Sequence, residues 1–195
     1  MEMSRLEKRF VNREGKARFN IQLVRQRLNH LDAGAVHNVL ELGCGVGYVS
    51  AHLAGEFKMN AIGTDFDPGQ IDSARRLHGE SELLHFQTQD ASCLEFEKSS
   101  FDLVISQHVF HHVAAWKQVV REIARVLRDG GHVIWLDLAL PGFIKTLLQP
   151  WGKQYGVYTL ADIQTEMRNC GLHQLFYEKF FRWLFVHHHL VLQKE

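Results

Sequence analysis

Three glycines at alternate positions, Gly43, Gly45 and Gly47, follow an apolar run that carries an acid, Val39-Leu40-Glu41-Leu42. Such a loop lets main chain approach a bound nucleotide-like ligand, because glycine has no Cβ to clash and accepts the backbone angles of a tight turn. Asp65, Asp90, Ser106 and Asp137 stand at or just beyond the ends of later apolar runs, and His108 and His111 follow the Ser106 run. One carboxylate can accept hydrogen bonds from both hydroxyls of a vicinal diol, chemistry open to an acid at a strand end. Imidazoles titrate near neutrality, so His108 and His111 are candidates for moving a proton.

These residues need elements to position them. Strand and helix patterns alternate from residue 37 onward. The expected strands are 37–42, 59–65, 83–89, 101–106 and 132–138, each short and apolar. Between them the spacing predicts a helix over 46–55 ending at Gly55. Another is opened by Asp67-Pro68, with the acid as N-cap and the proline in the first turn, and a third runs over about 114–128, stopped by Asp129-Gly130-Gly131. Strands separated by helices or crossover-length loops imply a parallel sheet covered on both faces, a doubly wound α/β fold with ligands at the C-terminal strand ends. Gly43, Asp65, Asp90, Ser106 and Asp137 all fall there.

The flanks differ. Residues 4–31 read as helical, with Phe19, Leu23, Val24 and Leu28 at helical spacing and a break expected at Gly15. This segment must pack outside the sheet or over its ligand edge, as a fixed helix or as a lid. Residues 141–158 read as irregular, apolar and aromatic, and Thr159 as the N-cap of a helix ending at Gly171. Residues 174–181 and 183–192 are strand-like and separated by about one residue, Arg182, which allows a hairpin and forbids a parallel crossover. The chain is expected to form one domain, with a helical segment over 1–36, a cofactor-binding half over 37–140, and a substrate-side loop, helix and closing hairpin over 141–195.

Composition bounds the function. Twenty-two basic residues balance twenty-two acidic ones, which removes the electrostatic footprint of a nucleic-acid binder. Cys44, Cys93 and Cys170 form no CxxC pair, so the expectation is a reducing cytoplasm with neither a disulfide framework nor a zinc site. The first residues have no apolar core resembling a signal peptide, and no run approaches the roughly 20 apolar residues of a membrane span. The triplet His187-His188-His189 invites a metal reading, but strand alternation would put His188 on the opposite face from its neighbours, so no metal is expected.

Over about residues 37–192 the chain resembles the class I S-adenosylmethionine-dependent methyltransferases, whose fold is a Rossmann-like, mostly parallel seven-stranded sheet closed by an antiparallel hairpin strand. Glu41-Leu42-Gly43-Cys44-Gly45-Val46-Gly47 is similar to the family's acid-x-G-x-G-x-G loop around the methionine end of the cofactor. Asp65 resembles the acid that grips the ribose hydroxyls, Phe66 its neighbour on adenine, and Asp90-Ala91 the pair that reads the adenine edge. Phe101 to Ser106, followed by Val109-Phe110-His111-His112, resembles the fourth-strand segment beneath the methyl group. Leu127-Arg128-Asp129-Gly130-Gly131 resembles the turn before the fifth strand, with Asp129 in place of proline.

The resemblance implies S-adenosylmethionine as cofactor and S-adenosylhomocysteine as product. It places the cofactor against Glu41, Gly43, Cys44, Gly45, Gly47, Asp65, Phe66, Asp90, Ala91, Ser106 and Gln107. Near the methyl group stand His108, His111 and Asp137, with Tyr155 and Tyr158 available from the irregular segment, whereas His112 reads as a histidine satisfied within the fold. Ser106-Gln107-His108-Val109 stands where amine methyltransferases of DNA carry Asn/Asp-Pro-Pro-aromatic, and Cys93 and Cys170 are misplaced for cytosine C5 chemistry. A small-molecule acceptor, apolar or aromatic, follows, bound between the N-terminal segment and residues 141–158. A homo-oligomer is left open, as is a non-catalytic cofactor-binding subunit. A nicotinamide oxidoreductase fits less well, because its G-x-G-x-x-G would need glycine at Tyr48.

Overall fold

The computed structural model describes residues 14–148, 155–182 and 185–195; the side chains of residues 14, 147, 148, 182 and 185 are not part of that description. Seven strands form one sheet in the order β3-β2-β1-β4-β5-β7-β6. They are β1 (Asn38–Leu42), β2 (Asn60–Asp65), β3 (Leu84–Thr88), β4 (Phe101–Gln107), β5 (Leu127–Leu138), β6 (Leu172–Arg182) and β7 (Phe185–Lys194). The first five are parallel, whereas β7 runs antiparallel to both β5 and β6. The helices are α1 (Glu14–Leu28), α2 (Tyr48–Phe57), α3 (Pro68–His78), α4 (Trp116–Val126), α5 (Gly142–Leu148) and α6 (Leu160–Asn169).

The chain steps outward from β1 to β2 to β3, then returns to lay β4 on the other side of β1. That reversal is a topological switch point, and the crevice beyond the C-terminal ends of β1 and β4 is where such sheets bind ligands. β4 is buried along its whole length, as a strand covered on both faces must be. One core joins Leu40, Leu42, Val104, Trp135 and Leu190 to α4 and α6; the other joins Val39, Leu103, Ile105 and Val191 to α1, α2 and α3. Residues of opposite parity on each strand therefore feed opposite layers.

Local signals decide the helix starts. The Asp67 side chain accepts from the Gly69 N–H, 2.9 Å away, with Pro68 as the first residue of α3. Thr159 and Asp162 form a reciprocal capping box on α6. At the opposite end of the sheet, Asp102 accepts from the main-chain N–H groups of His37 and Asn38 and pairs with Arg128 at 2.8 Å, tying β1 to β4 and β5.

Several boundaries differ from the sequence reading. Gly55 lies inside α2, which ends at Lys58 in the left-handed conformation. Gly15 lies within α1, and residues 1–13 are outside the described residues. Asp129-Gly130-Gly131 falls inside β5, whose first residue Leu127 already pairs with Phe101 across a register shift, so strand pairing rather than glycine ends α4. Residues 142–148 are helical rather than irregular, and Trp151 is outside the described residues.

Candidate active site

The glycine loop leaves β1 and enters α2, with Gly43, Gly45 and Gly47 all at positive φ (65°, 56° and 79°). A Cβ at Gly43 would overlap Val109 Cγ2, and one at Gly47 would overlap the Phe86 ring. Close packing as well as backbone conformation therefore requires glycine at both positions. Gly43 is exposed at the mouth of the crevice.

Glu41 lies beneath the loop, only 5% exposed, and its carboxylate accepts from the Ser50 N–H and hydroxyl at the start of α2. Burial dominates and pushes its pKa up to about 7, against the Ser50 hydrogen bonds that lower it and with the Asp65 charge that raises it further. Cys44 packs against Gly63. Burial, then the charges of Glu41 and Asp65, holds its thiol well above the ordinary range, so it stays protonated and is no nucleophile.

Asp65 closes β2. One carboxylate oxygen accepts from Gly45 N–H and the other from Asp67 N–H, both at 2.9 Å, so the acid is oriented by the loop that it faces. Beside it Phe66 is 55% exposed, a flat apolar face open to a ligand. Asp90 lies beyond β3, where its Oδ1 accepts from the Ser92 N–H and hydroxyl, with half-buried Ala91 between them. At the end of β4, Ser106 and Gln107 are buried; Ser106 Oγ and Gln107 Oε1 have no hydrogen-bond partner among the described residues.

The three proton-moving candidates come together. Asp137, fully buried at the end of β5, bonds through Oδ1 to His111 Nδ1 and accepts from the Phe110 N–H at 2.7 Å through Oδ2. Burial works against both charged partners, but their mutual charge and hydrogen bond outweigh it: the His111 pKa is raised and that of Asp137 lowered. His108 is different. It takes φ +59°, its N–H donates to Leu136 O at 2.8 Å, and burial pushes its pKa down to about 3 despite the Asp137 charge. A non-glycine residue held in this conformation is strained, as residues at functional sites often are.

Other expectations separate here. Tyr158 lies in the core between Trp116 and Trp135 rather than at the methyl position, and Tyr155 is 40% exposed. His112 is in the short 3₁₀ turn Phe110–His112, tilted over His111 with ring centroids 4.0 Å apart. From sequence, His187 and His189 are weighed only as metal ligands and set aside, yet His187 stands edge-on to His108 and His189 bonds Arg27 of α1. Strand alternation puts the two on one face, but their burial follows from the place of β7 between β5 and β6, which the sequence does not report. Among the described residues no cluster of three metal-ligating side chains occurs, and no helix is long and apolar enough to cross a membrane.

Residues 40–135 match the methyltransferase domain family. Methyltransferase GfsG of Streptomyces halstedii is 34% identical over 124 residues, 62% of this chain and 45% of that protein. The chloroplastic tocopherol O-methyltransferase of Arabidopsis thaliana is 34% identical over 122 residues, 60% of this chain and 35% of that protein. The match thus spans less than half the length of these relatives. Among solved structures, the PH0226 protein of Pyrococcus horikoshii superimposes with a TM-score of 0.75 at 20% identity, covering 95% of this chain and 93% of that one. With the glycine loop, the acid closing β2 and the reversed strand beside β5 in the family's order, this chain belongs to the class I S-adenosylmethionine-dependent methyltransferases.

Proposed function

We propose that this chain binds S-adenosylmethionine along the crevice from Gly43 to Asp90 and transfers its methyl group to a small-molecule acceptor. The observation that carries the reading is the set of groups left facing the switch-point crevice. Gly43, Gly45 and Gly47 leave main chain bare, Asp65 is held by Gly45 and Asp67, the Phe66 ring is exposed, and Ser106 Oγ is buried without a hydrogen-bond partner among the described residues. These fit the cofactor in turn. Gly43, Cys44, Gly45 and Gly47 present main chain to its methionine end, Asp65 accepts from the ribose hydroxyls, Phe66 covers adenine, and Asp90 with Ala91 meets the adenine edge. Ser106 and Gln107 bound the methionine side, and Glu41 supports the loop from below.

When bound, the cofactor supplies a sulfonium-activated methyl group open to in-line attack. The protein's main contribution is alignment of the acceptor, an effect that can be worth about 7–11 kcal/mol. His111, oriented by Asp137, is placed to hold the acceptor's proton, and general-base help of this kind contributes typically 10²–10⁴-fold. His108, neutral across the physiological range, is a hydrogen-bonding wall rather than a cation. Relatives named for tocopherol and for alkaloid acceptors support a small-molecule substrate.

Calorimetry with S-adenosylhomocysteine, alongside NAD and NADP, tests the reading. Binding of the first with a rise in melting temperature is expected. A nicotinamide response instead would replace the proposal with an oxidoreductase. Cofactor binding without transfer to any acceptor would leave a regulatory subunit.

A further inference from the structure

α1 runs down the closing hairpin in a fixed direction. Phe19 meets Phe180 edge-on at 6.0 Å, Arg27 pairs with Glu178, and His30, just past the helix, stacks on Phe176 at 4.0 Å. Residue numbers rise along α1 as they fall along β6, so the first turn of the helix stands at the ligand edge of the sheet. The main-chain oxygen of Asn20 accepts from Gln107 Nε2 at 3.4 Å, at the end of β4. Lys16 lies one turn earlier on the same helix face, three and four positions before Phe19 and Asn20. That position carries it past Gln107, over the residues that follow β4.

Those residues are His108 and His111, and the Lys16 charge acts on both, lowering the pKa of each. All three side chains belong to half-buried residues, so they reach solvent at the mouth of the crevice. Val109 occupies the space that a Cβ on Gly43 would need, which sets the two imidazoles against the cofactor loop. His111 spends Nδ1 on Asp137 and keeps Nε2. The His108 ring packs edge-on against His111 and His187 at 6.4 and 5.3 Å and makes no side-chain hydrogen bond among the described residues. Being neutral, it has one ring N–H to donate. The charges facing it are Asp137, Lys16, His111 and His187. Asp137 is buried and already matched by His111 and by the N–H groups of Phe110 and Leu138, and Lys16 adds a full positive charge to that balanced pair.

We infer that Lys16 and His108 form an anion subsite beside the methyl position, and that the acceptor is an apolar or aromatic carboxylic acid bound there as its carboxylate. One carboxylate oxygen accepts from the Lys16 ammonium and the other from the His108 N–H. An ammonium has only donors to present and is repelled by Lys16. A phosphate dianion brings a second charge that neutral His108 does not match. The apolar body of the acid lies against Phe19 and Phe180, both half-buried and next to Lys16 along α1 and the hairpin. His111 Nε2 stays available for a proton from the methylated group. The left-handed backbone of His108, φ +59°, is strain of the kind retained where a side chain must be aimed at a ligand. This inference rests on the small-molecule methyltransferase reading and narrows its acceptor.

The test titrates ring-matched probes into the whole chain, with and without S-adenosylhomocysteine, and follows binding by NMR: benzoate, benzyl alcohol, benzylamine and phenyl phosphate. Benzoate is expected to bind about tenfold more tightly than each of the others, the scale of one charge-assisted hydrogen bond. Lys16→Gln should weaken benzoate about tenfold and leave benzyl alcohol within about threefold, whereas Lys16→Arg, which keeps the charge, should hold benzoate within about threefold. Without any probe, the His111 pKa should rise in Lys16→Gln, a shift that lost packing alone does not produce. Affinity for S-adenosylhomocysteine within about threefold of wild type in both variants supports the assignment of Lys16 to the acceptor side. Tighter binding of phenyl phosphate than of benzoate overturns the carboxylate. Equal binding of benzoate and benzyl alcohol, or a benzoate preference that survives Lys16→Gln, overturns the subsite. Failure of the wild-type chain to bind S-adenosylhomocysteine overturns instead the reading on which the inference rests, and that measurement is separate from the probe ranking.

Discussion

His111 Nδ1 is hydrogen-bonded to Oδ1 of Asp137, and the two residues come from different strand ends 26 positions apart. The carboxylate is fully buried while the imidazole reaches the crevice. Asp137 is thus a positioning residue: it holds the ring, favours the tautomer with Nε2 free for a ligand, and raises the basicity of that nitrogen.

Asp137→Asn keeps the size and a hydrogen-bonding oxygen but removes the charge. The expected result is a 10²–10⁴-fold loss in kcat/KM for an acceptor that must lose a proton. Affinity for S-adenosylhomocysteine should remain within about threefold. An NMR titration should show the His111 pKa falling in the variant.

The same pair has a pH signature. Asp137 is lowered from 3.8, so its contribution to stability is present above that value and fades as pH falls through the folded-state pKa. His111 is raised from 6.5, so its contribution is complete below that value and is lost as pH rises through the folded-state pKa. The melting-temperature gap between wild type and Asp137→Asn should therefore be widest between about pH 4 and 6.5 and narrow on either side. A gap independent of pH would show that the pair carries no charge.

Glu41 carries the opposite sign. Its folded-state pKa of about 7 lies above the ordinary 4.5, so it favours the fold below pH 4.5, and that advantage is lost as pH rises through about 7. Glu41→Gln, which preserves an acceptor for Ser50, should be more stable than wild type above neutrality by up to about 3 kcal/mol and level with it near pH 4.5. Denaturant titrations at pH 5, 6, 7 and 8 measure the crossover.

Gly43→Ala should destabilise the fold by about 2–4 kcal/mol, because its Cβ overlaps Val109 and its φ is +65°. Adding Val109→Ala should recover the packing part but not the conformational part. A double-mutant cycle in urea separates the two; no coupling between the sites would contradict the overlap.

Asp65→Ala removes the only side chain proposed to meet the ribose. It should reduce S-adenosylhomocysteine affinity by roughly 10–100-fold, the scale of one or two charge-assisted hydrogen bonds. Gly45 and Asp67 are both buried, so each freed N–H should also cost roughly 1–3 kcal/mol of stability, read as a lower melting temperature. Calorimetry on the variant decides.

Much of this protein was legible before its structure because the signals are local. Asp67-Pro68 and Thr159 cap the helices they announce. The apolar runs become the parallel strands, and a link too short for a crossover yields the antiparallel pair, although Arg182, expected to be the gap, is the last residue of β6 and pairs with Phe185. Glycines at 43, 45 and 47 adopt the backbone angles that only glycine takes freely. What stayed hidden depends on which strand lies beside which. Leu127 enters β5 because Phe101 is there to pair with it, an interaction that no local glycine reports. His187, His188 and His189 are buried because β7 is sandwiched between β5 and β6, whereas their sequence alone suits an exposed strand equally well. The bonds from Arg27 to His189 and from His111 to Asp137 join residues distant in the chain. Local sequence determined the elements and the cofactor loop, through capping, periodicity and the missing Cβ. Only tertiary structure decided which side chains share a crevice, because strand order and helix placement are set by non-local burial.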